Sequence, residues 1–175
     1  IILPDNVTSI DKVAFNICEA LISIIMPETV TNIGADAFNG CQKLSNVSIP
    51  NFIENIGISA YFQTKIKKVV LPVSIKSVGI YSFAATPIDT VIINAQITEL
   101  PDHIFHDCSN LRHIEFSPTI TKIGNATFAN TGFDTIIIPE SIKYLGINAF
   151  GGCLNLKNIN LHNKLDSIGI GVFLE

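Results

Sequence analysis

The chain has 175 residues, 47% of them hydrophobic and 15% charged, with a formal net charge of −4. That balance is too apolar for a disordered chain, and the length is enough to bury a real core. Lys and Arg are scattered along the sequence without a basic stripe, which argues against nucleic acid as a partner. No apolar run approaches the ~18 residues that a membrane-spanning helix needs, so no membrane insertion is expected within this segment.

In chain order, residues 1–20 form a partial turn, with Leu3, Pro4, Val7, Ile10, Phe15 and Cys18 in the register that the rest of the chain repeats. Further turns open at Leu21, Leu44, Ile66, Ile88, Leu111, Phe133 and Leu156, at intervals of 23, 22, 22, 23, 22 and 23 residues. The clearest phrase, Ile33-Gly34-x-x-Ala37-Phe38-x-x-Cys41-x-x-Leu44, recurs at Leu145-Gly146-x-x-Ala149-Phe150-x-x-Cys153-x-x-Leu156. The one-residue variation follows a rule. After Cys41, Cys108 or Cys153 the next turn opens three residues later, whereas after Thr64, Thr86 or Thr131 it opens two residues later. The expectation is one array over residues 1–175, with complete turns in 21–155 and a second partial turn in 156–175.

Each turn begins with alternating, β-branched residues such as Val69-Val70-Leu71, a strand signal. Pro27, Pro50, Pro72 and Pro139 end those strands, because proline has no N–H to continue a ladder. Gly34, Gly57, Gly79, Gly124, Gly146 and Gly169 mark a bend or a close approach that disfavours Cβ. The A-F-x-x-C stretch that follows is expected to form a short helical turn. One turn cannot bury its own apolar face, so successive turns must stack, with their strands paired in parallel. The predicted fold is a solenoid of stacked 22–23-residue turns, with a parallel β-sheet on the concave side and short strands or helical turns on the convex side.

The I-P-x-x-V-x-x-I-G-x-x-A-F-x-x-C phrases resemble the BspA-like (Treponema pallidum-type) leucine-rich-repeat family, over essentially the whole chain. Departures are few: Asp11 and Pro101 stand in place of the glycine, Asn94 in place of the proline and Tyr61 in place of the phenylalanine. The resemblance implies a secreted or surface protein linked to adhesion.

Residues with reactive chemistry mostly fall at structural positions. Cys18, Cys41, Cys108 and Cys153 share one repeat position that alternates with Thr, as a small buried side chain would. Only Cys18 and Cys41 lie one turn apart, and their parallel side chains disfavour a disulfide. No Cys or His spacing suits zinc. In His103-Ile104-Phe105-His106-Asp107-Cys108, the only local His, Asp and Cys cluster, both histidines are expected at the surface. No nucleophile elbow, phosphate loop or catalytic acid pair is present, so neither enzymatic activity nor a cofactor or metal is expected. Asn6, Asn46 and Asn125 begin N-glycosylation acceptor triplets, at about the frequency that chance produces.

The outward strand positions carry the functional expectation. One column reads Ile2, Ile25, Ser48, Val70, Ile92, Glu115, Ile137, Asn160, and its neighbour Ser23, Asn46, Lys68, Thr90, His113, Thr135, Asn158. An aliphatic stripe beside a polar one suits an interaction surface, although β-propensity alone also favours Ile and Val there. Ile25, Val70, Ile92 and Ile137, with Lys68, His113 and Glu115, are the candidate face for a protein ligand. The module is then a surface or secreted adhesin; the alternative is an intracellular scaffold. Neither end carries a polar cap and the sequence stops mid-turn, so a segment of a longer protein is expected, with ends open to end-to-end self-association.

Overall fold

The computed structural model describes residues 1–174. Each turn contributes two short strands. The first set lies where the β-branched alternation begins: β2 (Ser23–Ile24), β4 (Asn46–Val47), β6 (Lys68–Leu71), β8 (Thr90–Ile93), β10 (His113–Glu115), β12 (Thr135–Ile137) and β14 (Asn158–Asn160). The second set immediately precedes the glycine position: β1 (Ser9–Ile10), β3 (Asn32–Ile33), β5 (Asn55–Ile56), β7 (Ser77–Val78), β9 (Glu99–Leu100), β11 (Lys122–Ile123), β13 (Tyr144–Leu145) and β15 (Ser167–Ile168). We call these the face ladder and the side ladder. All their pairings are parallel and join successive turns in register. Lys68 and Val70 point outward while Val69 and Leu71 point into the core, the alternation that a half-buried strand requires.

The expected helical turn at A-F-x-x-C does not form, and among the described residues there is no helix. Overlapping β-turns take its place. Ala37 N donates to Gly34 O (3.3 Å), Asn39 N to Asp36 O (3.2 Å) and Cys41 N to Phe38 O (3.1 Å). The intervening N–H groups reach the next turn instead: Asp36 to Ile58 O (2.8 Å), Phe38 to Ala60 O (2.8 Å) and Gly40 to Phe62 O (3.0 Å). Every second donor is therefore committed to a neighbour, which leaves none to propagate a helical ladder. The geometry requires positive φ at two sites per turn, as at Asp36 (55°) and Gly40 (72°), in the third turn position where a type II turn places it. Ser59 and Gln63, Tyr81 and Ala85, His103 and Asp107 repeat the pair.

The core is one continuous stack. The opening residue of each turn and those three and five positions on point inward, as Leu21, Ile24 and Met26 do. At its centre Phe15, Phe38, Tyr61, Phe83, Phe105, Phe128, Phe150 and Phe173 form a column of near-parallel rings with centroids 5.1–5.9 Å apart. Each contact adds about 0.5–1.5 kcal/mol beyond area burial. The glycines answer to close approach rather than to φ: a Cβ at Gly57 would lie 2.4 Å from Ala35 N, and one at Gly79 2.4 Å from Ile58 N.

The spacing rule has a structural basis in the corner that precedes each face strand. At Cys corners an additional β-turn closes, with Leu44 N donating to Cys41 O (2.9 Å) and the same bond from Leu21, Leu111 and Leu156. At Thr corners the hydroxyl donates to the aromatic residue's carbonyl in its own turn: Thr64 to Tyr61 O (2.9 Å), Thr86 to Phe83 O (2.7 Å) and Thr131 to Phe128 O (2.7 Å). That bond replaces the additional turn, and one residue is saved. The corners also decide where the face ladder parts. It is continuous from Cys to Cys corner (β2–β4), from Thr to Thr (β6–β8) and from Thr to Cys (β8–β10, β12–β14). Where a Thr corner follows a Cys corner, between β4 and β6 and between β10 and β12, the described residues form no strand pairing. At the first of these seams Lys65 N donates to Leu44 O (2.8 Å), one step earlier than the bonds from Ser45 N and Asn46 N to Ile22 O at an intact junction.

Candidate functional site

The structure brings five of the seven candidate face residues onto one sheet. In β6, β8 and β10, Val70 stands opposite Ile92 and Ile92 opposite Glu115, while Lys68 and His113 flank Thr90. His113 Nε2 lies 3.1 Å from Glu115 Oε1, so the end of this sheet is polar. Ile25 and Ile137 belong to other sheets: Ile25 bridges to Ile2, and Ile137 pairs with Asn160. The expected aliphatic stripe is therefore three islands, Ile2–Ile25, Val70–Ile92 and Ile137. They are separated by Ser48 and Glu115 and by the two seams.

At the first seam the parted strands leave a cleft of about 350 Å³. Val47, Ser48, Ile49 and Asn51 line it on one side and Lys68, Val70 and Pro72 on the other, a mixed polar and apolar surface. Around its leading end, Lys43, Lys65, Lys67 and Lys68 are all exposed, and none has a carboxylate within ion-pairing distance among the described residues. Lys65, Lys67 and Lys68 are neighbours in the sequence, and the coil adds Lys43 to them, because Lys65 docks on Leu44 beside Lys43. The second seam differs: the Arg112 guanidinium crosses it and donates to Gly132 O. The residue equivalent to Arg112 at the first seam is Ser45, which is too short to cross.

A second cleft, of about 490 Å³, opens in the side ladder between β7 and β9, lined by Ser77, Val78, Ile97, Glu99 and Pro101. Pro101 explains it. Its ring occupies the space that glycine leaves elsewhere, and it has no N–H to match the bond that Gly124 N gives Leu100 O in the next turn (2.9 Å).

The His103–Cys108 stretch does not assemble a nucleophile. His103 stacks on Tyr81 (4.5 Å, 12°) and lies 5.5 Å from His106, whose Nδ1 is 3.0 Å from Asp107 Oδ2. Burial, and next the neighbouring His106, lower the His103 pKa; Asp102 opposes them. The Cys108 thiol faces the other way, donating to Phe83 O (3.3 Å) and lying 3.3 Å from Thr86 Oγ1. Cys41 and Cys153 likewise donate to Phe15 O (3.0 Å) and Phe128 O (3.2 Å). All four cysteines are free. Among the described residues no three His, Cys, Asp or Glu side chains converge on a metal-sized site. Of the glycosylation triplets, Asn125 is clamped: its amide donates to Asp102 Oδ2 (3.0 Å) and its Oδ1 accepts from Ile147 N (2.8 Å). Asn6 and Asn46 are exposed.

Sequence reasoning missed the cleft, its lysine rim and the Arg112 crossing. The signal was present as the change from Cys41 to Thr64 and from Cys108 to Thr131, read in the sequence only as a length rule.

A coil of in-register turns with two parallel ladders and a repeated Leu/Ile register defines a leucine-rich-repeat solenoid. The chain belongs to the BspA type leucine rich repeat family, whose profile matches residues 1–112 and 81–175, with six copies. It is similar to a leucine-rich repeat protein of Bacteroides ovatus (27% identity, TM-score 0.75, over 99% of this chain and 51% of that one). It is also similar to a leucine rich cell surface protein of Faecalibacterium prausnitzii (26% identity, TM-score 0.78, over 90% and 46%). The T. pallidum leucine rich repeat protein shares the fold (22% identity, TM-score 0.62, over 89% and 77%). The chain spans about half the length of the first two. Among curated proteins no sequence matches it.

Proposed function

We propose that this segment is a non-catalytic protein-binding module of a cell-surface or secreted protein, engaged in adhesion to a host or matrix protein. The observation that carries the reading is the β6–β8–β10 sheet. It presents Val70 and Ile92 side by side, flanked by Lys68, His113 and Glu115, on the one broad surface where every second side chain is free of the core. Ile25 and Ile137 stand on the neighbouring sheets, beyond the two seams, as separate apolar contacts. An apolar centre with a polar border is the usual composition of an interaction patch. Membership of this repeat family, and the likeness to a protein described as a cell surface protein, support the location.

A second reading, an intracellular scaffold using the same face, is favoured by one observation: four free thiols suit a reducing compartment. Labelling intact source cells with a membrane-impermeant amine reagent separates the two. Modification of exposed lysines such as Lys67 before lysis supports the surface reading, and modification only after lysis overturns it. Binding itself is tested by Val70→Asp with Ile92→Asp: a folded double variant that retains its partner removes the face from consideration.

A further inference from the structure

We infer that the seam between β4 and β6 is a docking cleft for an acidic polypeptide segment, which seats one apolar side chain between the strands and sets its carboxylates against Lys43, Lys65, Lys67 and Lys68. This rests on the protein-binding reading of the face ladder and names the partner's chemistry.

Three observations converge on the place. The cleft arises from the backbone: the Thr64 corner follows the Cys41 corner, the strands fall out of step, and the sheet opens along Val47–Ile49 and Val70–Pro72. Val47, Ile49, Val70 and Pro72 give the cleft apolar contact surface between the polar Ser48, Asn51 and Lys68, and a cavity of about 350 Å³ is large enough for an aromatic or branched aliphatic side chain. Lys68 lines the cleft at one end and Lys67, Lys65 and Lys43 lie on the chain leading into that end, all exposed and without a carboxylate partner among the described residues, on a chain of net charge −4. At the other end the Glu28 carboxylate is held by Asn51. Of the six lysines elsewhere, three are ion-paired, Lys76 with Glu54 (2.8 Å), Lys122 with Glu99 (3.1 Å) and Lys164 with Glu140 (2.5 Å), while Lys12, Lys143 and Lys157 stand apart from one another along the chain. A cluster of unpaired lysines beside a slot with apolar contact surface selects a partner with negative charge around one apolar residue. Charge sets steering and register, and the slot distinguishes such a segment from a bare polyanion. The other seam, crossed by Arg112, shows that the fold can close such an opening, and with Ser45 in the equivalent position this one is left open.

The probe is a fluorescein-labelled nine-residue peptide with a central Phe flanked by Glu and Asp, read by fluorescence anisotropy, with folding of each variant checked by far-ultraviolet circular dichroism. Saturable binding is expected, weakening with salt. The Kd is expected to rise tenfold or more for a central-Ala peptide, for Ser48→Tyr, which covers the cleft without changing charge, and for Lys67→Glu with Lys68→Glu. Leu154→Asp, at an exposed position beyond the second seam, leaves it within about twofold. No saturable binding by folded protein overturns the inference. So does binding that a heparin fragment matches and that neither the central Ala nor Ser48→Tyr weakens, since the patch is then a general polyanion surface. If a cellular partner is lost with Val70→Asp and Ile92→Asp but kept with Ser48→Tyr and the lysine reversals, the cleft assignment falls and the face remains the binding surface. If the peptide binds as expected while no protein partner depends on Val70 and Ile92, the cleft stands and the wider face reading falls.

Discussion

Arg112 reaches across the second seam of the face ladder to donate to the carbonyl oxygen of Gly132, the residue just before Phe133 opens the next turn. The contact is tight on both sides, because a Cβ at Gly132 would lie 2.2 Å from Ser109 O. A charged side chain here substitutes for strand pairing that the corner geometry forbids. Arg112→Met keeps the aliphatic stem and removes the donor. It is expected to lower stability by about 1 kcal/mol, in the range of a partly exposed charged hydrogen bond. Arg112→Gln, with a shorter amide donor, should recover little. Urea denaturation of the three proteins checks this.

Tyr61 occupies the phenylalanine position of its turn, fully buried between Phe38 and Phe83, and its hydroxyl has no hydrogen-bond partner. Burial raises its pKa well above the ordinary phenol value. Tyr61→Phe removes an unsatisfied polar atom and leaves the ring stack intact. Stability is expected to rise by about 1–3 kcal/mol, the cost of a buried unpaired group. A thermal melt showing a lower midpoint for the variant contradicts this account of the column.

Gly57→Ala tests the close-approach reading of the glycine position. The new Cβ would meet backbone atoms of Ala35 and Gly34 at 2.4–2.7 Å, where no flexible side chain can yield. A loss of about 1–3 kcal/mol or more is expected, as for other overpacked sites. φ here is not positive, so Gly57→Asn should fare no better than Ala. A rescue by Asn would show that backbone conformation was the cause instead.

Alkali should weaken the fold through its buried acids. Burial pushes the Cys108 thiol up to about 11 from 9.0, and raises Cys41 and Cys153 for the same reason. The unfolded chain loses these protons first as pH rises, so the folded state binds more of them and stability falls between about pH 9 and 11. Below pH 9 this contribution is flat. Chemical denaturation at pH 8 and pH 10.5 should show the drop, and Cys108→Ser should reduce it. In alkylation by iodoacetamide at pH 8, the exposed Cys18 should react first.

Much of the fold was legible because a stacked coil writes its core into a repeating register. Leu21, Ile24 and Met26 are buried for the same reason as their counterparts a turn away, and counting positions suffices. The helical turn at Ala37–Cys41 was misread because the A-F-x-x-C spacing suits one helical turn equally well. What decides against it is the claim that Ile58, Ala60 and Phe62 make on alternate N–H groups, a contact 22 residues away. The candidate face was legible as a column through Val70 and Ile92. Its division was not, since pairing between β4 and β6 depends on the difference between two corners and on neither corner alone. Lys43 and Lys65 come together for the same reason.

The order of Cys and Thr corners along such a chain has a consequence for how these arrays diversify. Duplication or deletion of a single repeat by recombination preserves the hydrophobic register and therefore the fold. Where it brings a Thr corner after a Cys corner, or separates such a pair, it creates or erases an opening in the sheet with no point mutation in the turns that remain. New recesses for ligands can thus arise from copy number alone, ahead of any point mutation that refines them.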